Sequence, residues 1–127
     1  MANIDYNLVL SNNQAHAATS TNSSAKYIGS GRAYNPLLID VKLTTPFATN
    51  KIDSIKVQTA TDEAFTTPVD LCQFFVGSGV SQTKANTLMQ LMVPYEHLDY
   101  IRLQYISASA PTGGKVFASL NKDVKIG

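Results

Sequence analysis

The sequence predicts an all-β protein, an antiparallel jelly-roll-like β-sandwich of about eight strands. Short runs of alternating apolar and polar residues recur along the chain, turn-forming residues separate them, and no long segment has a convincing helical period. Ser, Thr and Asn favour turns and strands over helix interiors, and they supply thirty-two of the 127 residues. Short strands with such connections are typical of an antiparallel sandwich or jelly roll.

The predicted strands of the N-terminal half are short apolar or alternating segments. Residues 4–10 and 26–28 are two brief runs, and the second ends at a Gly-Ser-Gly turn. In residues 37–43 every second side chain is apolar, which is the period of a half-buried strand. The same alternation recurs in residues 54–59. Residues 11–25, rich in Asn, Ser, Thr and Ala, predict a mobile arm or long loop.

The C-terminal half contains the most regular patterns. Residues 69–76 form a nearly continuous apolar run, which predicts a strand buried on two sides. Residues 87–93 alternate as a strand but also fit a helical period, and we favour the strand. Residues 100–120 predict a hairpin whose turn, at 109–114, has one proline to fix φ and two glycines to take positive φ. The inward residues of that hairpin would fill the sandwich: Ile101, Leu103, Tyr105, Val116, Ala118 and Leu120.

Length and charge limit the organisation and the partners. One domain is expected for residues 1–127, with residues 1–25 as a candidate extended N-terminal arm. The formal net charge is +1, too small for the counterion release that drives nucleic-acid binding, so we expect no direct nucleic-acid partner. Residues 1–10 have no basic n-region and one short apolar run. We therefore expect no signal peptide, no membrane span and synthesis in a cytoplasm.

Catalytic and metal-binding groups are sparse. Cys72 stands alone, which excludes an intramolecular disulfide and a cysteine-type zinc site. His16 and His97 lie 81 positions apart and match no metal-ligand spacing. Glu96 and Asp99 flank His97 as a carboxylate-held base would require, but polar residues of a loop before a strand are the favoured interpretation. The sequence therefore predicts no enzyme, no cofactor and no metal site.

A cation site or a catalytic carboxylate pair would draw on the acidic residues Asp62, Glu63 and Asp70. Asp62 and Glu63 are adjacent, so in a strand they would point to opposite faces. They are interpreted as part of a turn with an inward Phe65, rather than as a cation site or a catalytic carboxylate pair.

The aromatic side chains are the remaining candidates for a binding surface. The chain has six Tyr, five Phe and no Trp. Tyrosines near strand ends suit either a sugar-stacking platform, formed by Tyr27, Tyr34, Tyr95 or Tyr100, or the anchors of a protein interface. The lack of Trp favours the interface. An outward Phe on a predicted hairpin also indicates an interface. The interface candidates are Tyr6, Tyr27, Tyr34, Tyr95, Arg102 and Phe117.

Four segments occur in a recognisable order along nearly the whole chain. They are DYNLVLSNNQA at 5–15, GSGRAYNPLLIDVKL at 29–43, VQTATDEAF at 57–65, and YIRLQYISASAPTGGKVFASLNKDV at 100–124. Together they resemble the cement, or decoration, proteins of tailed bacteriophages related to that of a Bordetella phage.

The resemblance implies a jelly-roll β-sandwich on the outer surface of an icosahedral phage head. Such a protein would bridge neighbouring major capsid proteins, stabilise the shell and associate with itself as a dimer or trimer. Its location would be the virion, after synthesis in the host bacterial cytoplasm. A carbohydrate-binding or host-adhesion sandwich on the virion is the alternative function.

Overall fold

The computed structural model describes residues 9–28, 37–76, 82–93 and 97–121. Within these ranges the chain forms nine β-strands and no helix, so the all-β prediction is confirmed, and no helix there could cross a membrane. The strands are β1 (Val9–Ala15), β2 (Ser20–Asn22), β3 (Lys26–Tyr27), β4 (Leu38–Thr45), β5 (Ser54–Ala60), β6 (Val69–Phe75), β7 (Asn86–Met92), β8 (Tyr100–Ile106) and β9 (Lys115–Asn121).

The described strands form two antiparallel sheets that pack face to face. The four-stranded sheet has the order β1-β9-β4-β7, and the five-stranded sheet has the order β2-β8-β5-β6, with β3 also pairing with β8. β2 and β3 are two pieces of one interrupted strand, because both pair with β8. With these two pieces counted together, the order is that of an eight-stranded jelly roll. The predicted jelly-roll sandwich is therefore confirmed.

A single cluster of apolar side chains from both sheets fills the space between them. The alternate apolar residues of 37–43 are at most 3% exposed, as their period predicted. The six inward residues predicted in β8 and β9 are at most 1% exposed. Each large aliphatic side chain buried in this way stabilises the fold by about 1.5–3 kcal/mol relative to its exposed state.

β7 is a strand rather than a helix, as predicted, and it contains a bulge. Its register with β4 passes from Val41↔Met89 to Lys42↔Thr87, which leaves Leu88 as an extra residue. The bulge brings Leu88 and Met89 together into the core, each 2% exposed. The helix-like spacing of these apolar residues is thus the sequence signature of a bulged strand.

The hairpin predicted for residues 100–120 is wrong. β8 lies between β5 and the β2/β3 pieces, whereas β9 lies between β1 and β4 in the other sheet. Residues 107–114 carry the chain between the sheets, and this connection is longer than common hairpin loops. Gly113 takes a φ of 80°, as predicted, but Gly114 does not take positive φ. Gly114 instead lies against the ring of Phe47, where a side chain would not fit.

The arm or loop predicted for residues 11–25 is wrong for much of its length, because β1 pairs with β9 and β2 pairs with β8. Register shifts in β1 bend this edge strand. Its polar side chains find local partners: the Ser11 hydroxyl donates to Gln14 Oε1 at 2.7 Å, and Gln14 Nε2 donates to the Asn22 carbonyl at 2.8 Å. The first part of the predicted arm, residues 1–8, lies outside the described residues together with the start of the first predicted strand.

β6 is not buried on two sides, contrary to the prediction for residues 69–76. It ends the five-stranded sheet and pairs with β5. Val69 is 46% exposed and Phe75 is 70% exposed, while Cys72 and Phe74 pack against the margin of the core. One face of β6 covers the edge of the core. Several other side chains of this apolar run are exposed to solvent.

Candidate interaction surface

The five-stranded sheet has one face toward the core and one toward solvent, which we call the outer face. In β5 and β8 the residues that alternate with the fully buried Val57 and Leu103 point to this outer face. The register across β3, β8, β5 and β6 then assigns its members. They include Tyr27, Lys56, Gln58, Asp70, Gln73, Phe75, Tyr100, Arg102 and Gln104.

A chain of polar side chains crosses the middle of the outer face. Arg102 Nε donates to Gln58 Oε1 at 2.9 Å, and Gln58 Nε2 donates to Asp70 Oδ1 at 2.8 Å. Lys56 Nζ lies 3.3 Å from Asp70 Oδ2. The hydrogen bond from Gln58, followed by the contact with Lys56, lowers the pKa of Asp70 below its ordinary value. Because these side chains are already held by one another, a partner that binds them loses less entropy in ordering them.

The loop between β5 and β6 covers part of this row of hydrogen-bonded polar side chains. The Asp62 carboxylate accepts the Thr66 backbone N–H at 3.2 Å and the Thr66 hydroxyl at 2.6 Å, as expected of the predicted turn. Phe65 follows the turn with a φ of 52°, and its ring centroid lies 4.4 Å from the Arg102 guanidinium carbon. Phe65 is only 5% exposed but lies outside the core cluster. The buried Phe65 thus supports Arg102 on the outer face instead of filling the core.

Exposed aromatic side chains flank the polar chain. Tyr27 is 64% exposed, and its ring meets Tyr100 edge to face at a centroid distance of 5.4 Å. Phe75 lies at the opposite edge of the sheet. Among the described residues, the exposed large hydrophobic side chains are Tyr27, Val69 and Phe75, and all belong to the five-stranded sheet. The exposed large hydrophobic side chains of the described residues therefore lie on one of the two sheets.

The structure describes some of the predicted interface residues and brings two of them to one face. Tyr27 and the half-buried Arg102 both lie on the outer face. Phe117 points away from the core on the other sheet, opposite Lys42 of β4, and is half-buried. The remaining candidates lie outside the described residues: Tyr6, Tyr34 and Tyr95.

Sequence reasoning missed Phe75, because the apolar run of β6 was interpreted as a buried central strand. Asp70 and Gln73 interrupt that run, and they are the signal of an exposed or edge strand. The support of Arg102 by Phe65 had no such signal, since it depends on a turn that returns the chain onto the sheet.

His16 is fully buried between the end of β1, β2 and the connection from β8 to β9. Its Nδ1 lies 2.6 Å from Thr21 Oγ1, and its Nε2 lies 2.9 Å from Ser107 Oγ. The rings of Phe47 and Tyr105 meet the imidazole edge-on, at centroid distances of 6.2 and 6.1 Å. Burial lowers the pKa of His16. Its contacts make His16 a structural link between three segments.

His97 and Cys72, the other side chains considered for catalysis, are also at least partly buried. His97 is 7% exposed, and its Nδ1 lies 2.8 Å from the Leu98 carbonyl oxygen, while Glu96 lies outside the described residues. Burial raises the pKa of the half-buried Cys72, which disfavours the reactive thiolate. Across 9–28, 37–76, 82–93 and 97–121, no group of three or more His, Cys, Asp and Glu residues could hold a metal ion.

No protein-family model matches the chain, and no curated protein is significantly similar to it. Its class is therefore defined by the fold and the surface alone. It is a jelly-roll β-sandwich in which the five-stranded sheet combines a fixed polar chain with exposed aromatic side chains at its margins.

Proposed function

We propose that the protein is a structural cement protein, which binds the outside of a phage head and bridges neighbouring major capsid proteins. The observation that carries the proposal is the concentration of exposed large hydrophobic side chains on the five-stranded sheet, within the described part of the chain. Aromatic anchors beside ordered polar groups are characteristic of protein interfaces. The resemblance to phage cement proteins supports the same function, because its four segments contain β1, β8 and β9 of the jelly roll and overlap β4 and β5.

The outer face provides the chemistry for contact with a capsid protein. Tyr27 offers an exposed ring with a polar hydroxyl, and Arg102 offers a guanidinium group already oriented by Gln58 and Phe65. Hot spots of protein interfaces are enriched in these two residue types. A partner that covers Tyr27 would therefore bury apolar area and meet ordered hydrogen-bonding groups in the same contact.

Shell stabilisation follows from linkage. A protein that binds the assembled shell but not its separated subunits stabilises the shell by RT ln(1 + L/Kd) per site, where L is its free concentration. When one molecule or oligomer holds two neighbouring capsid proteins, the second contact forms at a high effective concentration. A rigid sandwich serves this function because little binding free energy is lost in ordering it.

Add-back to heads that lack this chain tests the proposal. Such heads are expected to release DNA at a lower temperature than complete heads, and purified protein should restore the release midpoint. An unmoved midpoint at saturating protein would contradict the cement function. The Tyr27→Ala variant should restore the release midpoint only at a protein concentration at least about tenfold higher than wild type needs. The substitution removes an exposed anchor without disturbing the fold. Gln90→Ala, at an exposed site of the other sheet, is the matched control and should act as wild type.

Carbohydrate binding on the virion is the second candidate, and the Tyr27–Tyr100 pair favours it. The exposed Tyr27 ring lies near hydrogen-bonding side chains of the outer face, a combination that could hold a sugar ring. A glycan array probed with wild type and Tyr27→Ala tests this function. It predicts a signal that the variant loses, and a wild-type signal at background would exclude it.

A further inference from the structure

The sandwich has four outer strand positions among the described residues, and they differ in how well they are protected against pairing. The β2/β3 edge consists of pieces of three and two residues, and β1 is interrupted by two register shifts. Short and bulged edges resist strand addition. β6 and β7 are both seven residues long with one register shift each, so they offer the longest regular edges among the described strands.

β6 differs from β7 in what it exposes. The exposed side chains of β7 are Thr87 and Gln90, which are polar, whereas β6 exposes Val69 and Phe75 in addition to the polar Asp70 and Gln73. Lysine and internal proline protect many natural edge strands, and neither occurs in the β6 sequence VDLCQFF. The bulge of β6 falls near its start, between the positions opposite Val57 and Gln58, so its second half is regular.

The charges of β6 also permit a second copy to approach. Its one charged residue is Asp70, whose carboxylate already contacts Lys56 Nζ and accepts a hydrogen bond from Gln58. Two copies that meet at this edge would therefore not bring unpaired like charges together. The formal net charge of +1 for the chain adds little repulsion between molecules.

We infer that residues 73–75, in the regular half of β6, pair antiparallel with the same residues of a second copy, so that outward side chains lie opposite outward side chains. Two identical edges can join in this way about a two-fold axis normal to the sheet, which keeps both cores on the same side of a continuous sheet. The two exposed Phe75 rings then lie near the axis and lose contact with water. The inference rests on the proposed function in that it assigns the surface by which copies of a cement protein associate.

Sedimentation of the purified full-length chain over a wide concentration range tests this inference. Wild type should show a reversible monomer–dimer equilibrium, and Phe75→Lys should weaken dimerisation about tenfold or more, because two lysines would face each other near the axis. Gln90→Lys makes the same charge change on β7, opposite Asp40, and should dimerise as wild type. Wild type that stays monomeric throughout, or Phe75→Lys that dimerises as wild type, would overturn the inference.

Hydrogen exchange of wild type provides a second measurement that needs no variant. Amides of β6 should become more protected as concentration rises, while those of β7 should not change. Protection at β1 or β7 instead, or protection of β6 only when capsids are added, would contradict pairing with a second copy. A dimer that does not bind capsids would retain this inference and overturn the proposed function, whereas a monomer that binds capsids would do the reverse.

Discussion

Replacing Gly114 by alanine is expected to lower the free energy of unfolding by about 3 kcal/mol, the upper end of the usual cost of overpacking. A Cβ atom at this position would lie 2.1 Å from Cδ1 of the Phe47 ring, far inside van der Waals contact. The ring cannot withdraw easily, because Phe47 is 7% exposed and belongs to the core cluster. Urea unfolding of wild type and variant at neutral pH measures the difference.

Gly113 provides the matched control for Gly114. Its added Cβ would lie at an ordinary 3.4 Å from Ala48 Cβ, so Gly113→Ala is strained by its φ of 80° and not by a clash. The substitution Phe47→Leu should therefore recover part of the stability lost in Gly114→Ala and none of that lost in Gly113→Ala. A double variant of Gly114→Ala with Phe47→Leu that shows purely additive losses would rule out the clash.

The faces of the strands could be predicted from the sequence, because the requirement to bury one face acts residue by residue. The alternation in residues 37–43, 101–105 and 116–120 identified side chains that are at most 3% exposed. The pairing of those strands could not be predicted in the same way. β8 and β9 follow each other in the chain, yet their apolar faces meet across the sandwich and their hydrogen bonds go to other strands.

Composition also failed to predict which segments belong to a sheet. The apolar β6 is an edge, and the polar segment 11–25 contains β1 residues and β2. Whether a segment joins a sheet depends on backbone hydrogen bonds, in which every residue except proline can donate its N–H. Amino-acid composition instead indicates whether the side chains are buried or exposed to solvent. An Asn-rich strand is therefore acceptable at an edge when its side chains find partners, as Gln14 does at the Asn22 carbonyl.

The candidate surface could be predicted in part. Tyr27 and Arg102 were identified as isolated residues, but the chain that joins Arg102 to Gln58 and Asp70 spans three strands separated widely in sequence. Such contacts require the register of β8, β5 and β6 to be known. No single-sequence pattern contains that register, and the same is true of the return of Phe65 onto Arg102.

Acidification from pH 7 to pH 5 is expected to destabilise the protein through His16. The imidazole is fully buried, and both of its partners, Thr21 and Ser107, are neutral hydroxyls that cannot balance a positive charge. Burial therefore lowers the pKa of His16 below its ordinary 6.5. The unfolded chain, where the imidazole is in water, binds the proton more readily than the folded chain does.

The direction of the effect follows from proton linkage. The contribution of His16 is complete above about pH 6.5, where both states are neutral, and it is lost as the pH falls from there toward the pKa of the folded state. The largest slope for one such group is about 1.4 kcal/mol per pH unit. The lowered pKa of Asp70 acts in a separate range, because its contribution is lost only as the pH falls below 3.8.

Urea unfolding at a series of pH values between 7 and 5 measures this contribution, with two variants for comparison. His16→Gln should lose about 1–3 kcal/mol at pH 7, because a buried hydroxyl loses its partner, and should also lose the slope that His16 causes. Tyr105→Phe removes the phenol that lies 2.8 Å from Ser11 Oγ in the same region and should be less stable at every pH while keeping the wild-type slope. If His16→Gln retained the full wild-type slope, or if wild type gained stability on acidification, the buried neutral imidazole would not be the acid-sensitive element of this fold.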